Sequence, residues 1–253
     1  MTRTFDELLA EADAAPVEGW DFSWLDGRAT EERPSWGYAR MMGARMAVAH
    51  AALDMQTGGG EVLASVPRFP ALTVATESWP PNVEVATRRL HPRGVAVVAH
   101  DDERPLPFGS EAFDLVVCRH PVDVWWQDVA RVMRPGGTYF SQEVGPKSVG
   151  ELSEFFLGPR PEGEIQREPE LARQAAEAAD LTVTDLRSES LRTEFYDVGA
   201  VVYFLRKVIW IVPGFSVEQY REELARLHER IQEEGPFVAT TRRFLIEAVK
   251  PVA

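Results

Sequence analysis

The chain has 253 residues, enough to bury a sizeable core without disulfides, and its single cysteine, Cys118, excludes a disulfide framework or a cysteine-rich zinc site. A formal net charge of -13 weighs against a protein that grips nucleic acid through its overall field, because phosphate neutralisation needs clustered Lys and Arg. The N-terminus "MTRTFDELLAEADAAP" carries acids where a signal peptide needs an apolar run, and no later stretch approaches the roughly 18 apolar residues of a membrane span. These features predict an unprocessed cytoplasmic protein with a small-molecule partner and no membrane contact.

No repeat or low-complexity linker divides the chain, so one domain spanning residues 1–253 is expected. The segment "WGYARMMGARMAVAHAA" (36–52) spaces its apolar residues as one helical face and leads into a short strand, "AALDM" (51–55). After a glycine run, "EVLASVP" reads as the first turns of a helix and "ALTVATE" (71–77) as a strand ending on an acid. "PPNVEVATRRLHP" (80–92) is predicted helical, and "GVAVVAHDD" (94–102) is another strand ending on acids.

Next, "FDLVVCRH" (113–120) suits a strand buried on both faces, "DVWWQDVARVM" (123–133) an amphipathic helix, and "RPGG" (134–137) a turn that halts it. "TYFSQEV" (138–144) is strand again. Beyond it, 168–179 reads as helix, 181–195 as strand, 197–210 and 216–234 as helices, and 237–250 as a closing strand. Strands alternating with helices imply a largely parallel sheet covered on both faces, here closed by an antiparallel strand.

In such sheets ligands sit beyond the carboxyl ends of the strands, and the turn after the first strand holds "TGGG". Glycine lets a ligand approach the backbone closely. Glu77 follows Gly60 by 17 residues, near the interval at which a carboxylate reaches ribose hydroxyls. The third glycine of a dinucleotide fingerprint is missing, and so is the Lys with Ser or Thr of a P-loop. Glu61 beside the loop repels phosphate, which favours a nucleoside ligand without phosphates.

The stretches "LDMQTGGGE" (53–61), "VATE" (74–77), "DDERPLPFGSEAFDLVVCRH" (101–120) and "RVMRPGGTYFSQE" (131–143) together resemble the class I S-adenosylmethionine-dependent methyltransferases, in that family's order and spacing. The resemblance implies a Rossmann-like three-layer α/β/α sandwich. Its mostly parallel seven-stranded sheet would have an antiparallel last strand, an N-terminal helical cap, and insertions after the fifth and sixth strands. It implies S-adenosyl-L-methionine as cofactor, with Asp54, Gln56, Gly58 and Gly60 at its methionyl part and Glu77 on the ribose. Ser78 would bind the cofactor and Trp79 lie against adenine, with Asp102 at the adenine amine, Glu103 a backbone contact, and Arg119 just after the fourth strand. Gln56 stands where the family pattern has its first glycine, while Gly59 adds one at a variable position.

His120, at a strand's carboxyl end beside the expected methyl donor, is the candidate catalytic residue. It is either a base toward a substrate hydroxyl or amine, or a hydrogen-bonded structural histidine. The five histidines show no metal-ligand spacing. Trp125 and Trp126 read as core. Pocket walls are expected from the aromatic stretches 19–27 and 35–38, the insertion after Glu143, and 194–215. The implied activity is methyl transfer to an O, N or C atom of a small molecule. The alternatives are an rRNA or tRNA nucleobase methyltransferase and a non-catalytic S-adenosylmethionine-binding protein.

Overall fold

The computed structural model describes residues 3–101, 105–159 and 167–252. In chain order the elements are α1 (Phe5–Ala14), β1 (Ala29–Glu31), α2 (Tyr38–Met46), β2 (Ala51–Met55), α3 (Glu61–Ala64), β3 (Leu72–Glu77) and α4 (Pro80–Leu90). They continue as β4 (Ala96–Ala99), β5 (Phe113–Arg119), α5 (Trp126–Val132), β6 (Met133–Val144), α6 (Gly150–Leu157) and α7 (Pro169–Glu177). The chain closes with β7 (Thr182–Phe195), α8 (Val198–Lys207), α9 (Arg221–Glu234) and β8 (Phe237–Val249).

The eight strands are ordered β1-β7-β8-β6-β5-β2-β3-β4. β2 pairs in parallel with β3 on one side and β5 on the other, with Leu53 opposite Val74 and Val116; β4 and β6 extend the parallel set outward. β8 runs antiparallel to β6. The chain therefore winds outward from β2 to β4, then returns to build β5 and β6 on the other side. That reversal opens a crevice at the carboxyl ends of β2 and β5.

The packing divides into two compact units. One comprises Pro34–Pro146, Gln166–Glu189 and Arg243–Ala253 and holds β2 to β6 with the adjoining parts of β7 and β8. β2 is buried at every residue, and apart from Asp54 its composition is apolar, as suits a strand covered on both faces. On one face Trp36, Met42, Met46, Leu63, Ala86 and Leu90 pack on Ala52, Val117, Phe140 and Leu245. On the other, Val129, Val132, Ala176 and Leu181 pack on Leu53, Val116 and Tyr139. These two layers are the amphipathic faces of α2, α3 and α4, and of α5 and α7.

The other unit comprises Met1–Arg33, Lys147–Ile165 and Ser190–Arg242. Its core gathers Leu8, Leu9 and Ala12 of α1, the buried face of α8 from Val198 to Leu205, and Leu224, Leu227 and Ile231 of α9. The aromatic stretches expected as pocket walls at 19–27 and 194–215 lie here, where Trp24 stacks on Tyr203 with ring centroids 4.6 Å apart. Arg28, nearly buried, forks onto Asp197 at 2.9 and 3.0 Å, and Asp197 also caps α8 through the Ala200 N–H.

Two local expectations are corrected. The sheet has eight strands and not seven, because residues 29–31 pair antiparallel with Thr193–Phe195; three residues are too few to carry a periodic signal. "RPGG" lies within the span of β6, as an excursion between Met133, opposite Phe113, and Thr138, opposite Leu115. Gly136 there has φ +76°, and a β-carbon on Gly137 would fall 2.8 Å from the Arg134 carbonyl oxygen.

Candidate active site

The crevice floor is the turn after β2. Asp54 is buried and accepts the Thr57 hydroxyl at 2.6 Å. Burial pushes its carboxyl up to about 7, against the Thr57 hydrogen bond and with help from the charge of Glu77. Thr57 N–H donates to the Thr76 carbonyl at 2.9 Å, which lashes the turn to β3. Gly58 and Gly60 have φ of +63° and +75°, and a β-carbon on Gly60 would meet Leu90 Cδ1 at 2.8 Å. Glycine at 60 thus satisfies both the left-handed backbone and the close approach of α4.

Glu77, buried at the end of β3, accepts Gly58 N–H at 2.7 Å and Trp79 N–H at 3.0 Å. Its carboxylate is held by backbone from the turn after β2 and from the chain that follows β3. Ser78 and Trp79 follow it and are exposed, Trp79 by 46%. His100 N–H donates to the Glu77 carbonyl at 2.9 Å, which brings the end of β4 to the same edge. Asp102 and Glu103 lie outside the described residues. Glu61 is ion-paired to Arg89 at 2.7 Å, so its charge is locally balanced and the phosphate repulsion expected of it is weakened.

Gln56 occupies the left-handed region at φ +53°. A non-glycine residue there costs on the order of 1–2 kcal/mol. Its side chain accounts for the choice: Nε2 donates to the Asp123 carbonyl at 2.8 Å and Oε1 accepts Val122 N–H at 2.7 Å. Two hydrogen bonds, each worth about 1 kcal/mol, offset the backbone strain. They also join the turn after β2 to the loop after β5.

"LPF" is pinned by α5. Arg131 donates to the carbonyls of Phe108 at 2.6 Å and Leu106 at 2.9 Å, and to Asp128 at 2.6 Å; Asp128 in turn accepts Leu106 N–H. Trp126 packs edge-on against Tyr139, as a core residue should. Trp125 does not: it is 54% exposed, because it precedes α5 and lies off the helix face that meets the sheet. With Met55, Gln56, Thr76, His100, Leu106, Asp128 and Val129 it lines a cavity of about 20 Å³, room for one water and not for a nucleoside.

At the carboxyl end of β5, Arg119 is exposed and His120 adopts φ +58°. His120 N–H donates to the Gln142 carbonyl at 2.7 Å, and its ring Nε2 lies 3.0 Å from Gln142 Nε2. Gln142 Oε1 accepts the Trp36 indole N–H at 2.8 Å. Burial holds the His120 imidazolium well below the usual histidine range, and the charges of Arg119, Arg243 and Arg167 lower it further. Tyr38, stacked on Phe140, donates to the Cys118 carbonyl at 2.9 Å, and burial raises its phenol well above 10. On the opposite face of β6, burial pushes Glu143 up to about 7.

The structure thus brings Asp54, Gln56, Gly58, Gly60, Glu77 and Trp79 to one edge, and Arg119 and His120 to the end of the neighbouring β5. Sequence reasoning missed Gln142 as a partner of His120. The only hint was its place in "SQE" at the end of the strand next to β5.

Residues 53–141, about a third of the chain, match the family described as a methyltransferase domain. Among solved structures, a Bacillus halodurans C-125 protein described as a candidate methyltransferase aligns with a TM-score of 0.60 at 19% identity, covering 85% of this chain and 99% of that one. The [4+2]-cyclase SpnF aligns with a TM-score of 0.54 at 18% identity, over 97% of this chain and 93% of its own. A Haemonchus contortus phosphoethanolamine N-methyltransferase 2, in complex with phosphomonomethylethanolamine and S-adenosylhomocysteine, gives 0.54 at 15% identity, over 99% of this chain and 61% of its own. No curated protein matches the sequence.

Residues 53–141 thus match a methyltransferase domain, and the chain has the Rossmann-like fold of these solved structures. That a cyclase shares the fold is a reminder that fold does not by itself select a reaction.

Proposed function

We propose that the protein transfers a methyl group from S-adenosyl-L-methionine to an O, N or C atom of a small-molecule acceptor. The observation that carries this reading is the buried Glu77 carboxylate, held by the N–H groups of Gly58 and Trp79 beside a glycine turn whose backbone a ligand can approach. A ribose diol presents two donors to such a carboxylate, and the exposed Trp79 ring offers an apolar face for a purine. Asp54, Gln56, Gly58 and Gly60 are assigned to the methionyl part, Ser78 to the adenosine rim, and Arg119 to the end of β5 facing it. The bound cofactor would supply an activated methyl on a sulfonium, so the protein's task is to align the acceptor and exclude water.

His120 is assigned to the acceptor side, since it follows β5, the strand next to β2 on the far side from Glu77. The net charge of -13 supports a small acceptor over RNA. Titration calorimetry with S-adenosylhomocysteine tests the reading: micromolar binding that Glu77→Ala weakens by about 30-fold or more is expected, and no binding to the wild-type protein would sink it.

A further inference from the structure

We infer that Trp36 and Gln142 hold His120 as a neutral imidazole protonated on Nδ1, which orients the methyl acceptor by donating to it and does not take its proton. This rests on the methyl-transfer reading for what His120 serves, but the state of the ring follows from the chain's own contacts. An indole N–H is only a donor, so the Gln142 atom facing Trp36 Nε1 at 2.8 Å must be the carbonyl oxygen. The amide is thereby fixed, and its NH₂ is the group 3.0 Å from His120 Nε2. That nitrogen must accept, so it bears no proton. In the neutral ring the proton is on Nδ1.

Trp36 is 3% and Gln142 4% exposed, so water does not compete for the bond between them, and reversing the amide would set two donors, the indole N–H and the NH₂, against each other. Protonating His120 would set Nε2–H against the Gln142 NH₂ and add a positive charge beside Arg119, Arg243 and Arg167. Both effects oppose the imidazolium. The backbone bond from His120 N–H to the Gln142 carbonyl at 2.7 Å clamps the same residue pair a second time, with His120 in the left-handed region that non-glycine residues rarely adopt.

The acceptor is therefore one that presents a lone pair to an N–H donor, and any proton it must lose does not go to His120. Trp36 and Gln142 are positioning residues. Long-range ¹H–¹⁵N spectra of histidine-labelled protein should show His120 as the Nδ1–H tautomer at pH 7; an Nε2–H ring or an imidazolium overturns the inference. In Gln142→Glu a carboxylate faces Nε2, and the His120 pKa should rise by at least about one unit, a tenfold shift in its protonation equilibrium; an unchanged value counts against it.

The role is read from methyl incorporation out of radiolabelled S-adenosylmethionine into the small-molecule fraction of a cell extract. His120→Asn keeps an N–H donor near the Nδ1 position and cannot act as a base, so it should retain activity within about threefold, while His120→Ala loses about tenfold or more. Equal losses in the two variants would defeat the donor role. S-adenosylhomocysteine binding, measured separately, reports on the methyl-transfer reading alone, and its absence with an intact Nδ1–H tautomer would strike that reading and leave the ring state standing.

Discussion

Gly58 N–H donates to the Glu77 carboxylate across 2.7 Å, so the glycine turn and the acid at the end of β3 are one hydrogen-bonded device and not two adjacent features. Glu77→Ala should lower affinity for S-adenosylhomocysteine by about 30-fold or more, the loss of charged hydrogen bonds to a diol. It should also destabilise the fold by about 1–3 kcal/mol, since two N–H groups lose their acceptor. Glu77→Gln keeps one carbonyl oxygen for one of them and should recover part of the stability but little of the binding. Calorimetry and urea denaturation on the two variants separate these effects, and equal affinity in wild type and Glu77→Ala would remove Glu77 from the site.

Gln56 gives an ordered pair of expectations. Gln56→Ala keeps the left-handed strain and loses both hydrogen bonds to the 122–123 loop, so it should cost about 2–3 kcal/mol in urea denaturation. Gln56→Gly loses the same bonds but relieves the strain, and should be less damaging by about 1 kcal/mol. If alanine proves the milder change, the left-handed backbone at this position is not strained as described, and if neither variant loses stability the side chain is not what holds this turn.

Asp54 makes stability fall as pH rises. Its carboxyl has an ordinary value of 3.8 and is pushed up to about 7 in the folded protein, so folding favours the protonated form. The sign follows: the contribution is complete below about pH 4, is lost progressively as pH rises toward 7, and is flat above that. The loss is on the order of a few kcal/mol. The difference in unfolding free energy between Asp54→Asn and wild type should therefore grow in the variant's favour from pH 4 to pH 7. A constant difference would show that Asp54 stays ionised across that range.

Arg131 secures the "LPF" segment through the Leu106 and Phe108 carbonyls. Arg131→Ala leaves those carbonyls and Asp128 without this donor and should lower unfolding free energy by about 2–3 kcal/mol. Arg131→Lys, with one point charge in place of a planar fork, should recover less than half of that. Full recovery by lysine would mean that charge alone, without the two-pronged geometry, fixes the segment.

The alternation of apolar strands with amphipathic helices was legible because each period lies within a dozen residues, and β2, β3, β5 and the part of β6 from Thr138 onward fall where their composition places them. The positions of Gly58, Gly60 and Glu77 could be read from spacing along one turn and one strand. Other features depend on partners remote in the chain. Gln56 looks like a defect in a glycine pattern until the loop 66 and 67 positions onward is folded against it. Gln142 joins Trp36 to His120 across 106 and 22 positions, and β1 is three residues long, so neither carries a local pattern. Trp125 and Trp126 are neighbours of one residue type, and only the start of α5 decides which of them packs on the core.

Val122 is 61% exposed, yet its amide hydrogen is tied to Gln56 Oε1. An amide in such a loop would ordinarily exchange with solvent deuterium quickly, so slow exchange at this one position would be a built-in gauge of whether the turn and the loop are joined. Followed by mass spectrometry or NMR, it needs neither acceptor nor assay, and it would register in real time any ligand that pries the two apart or locks them together.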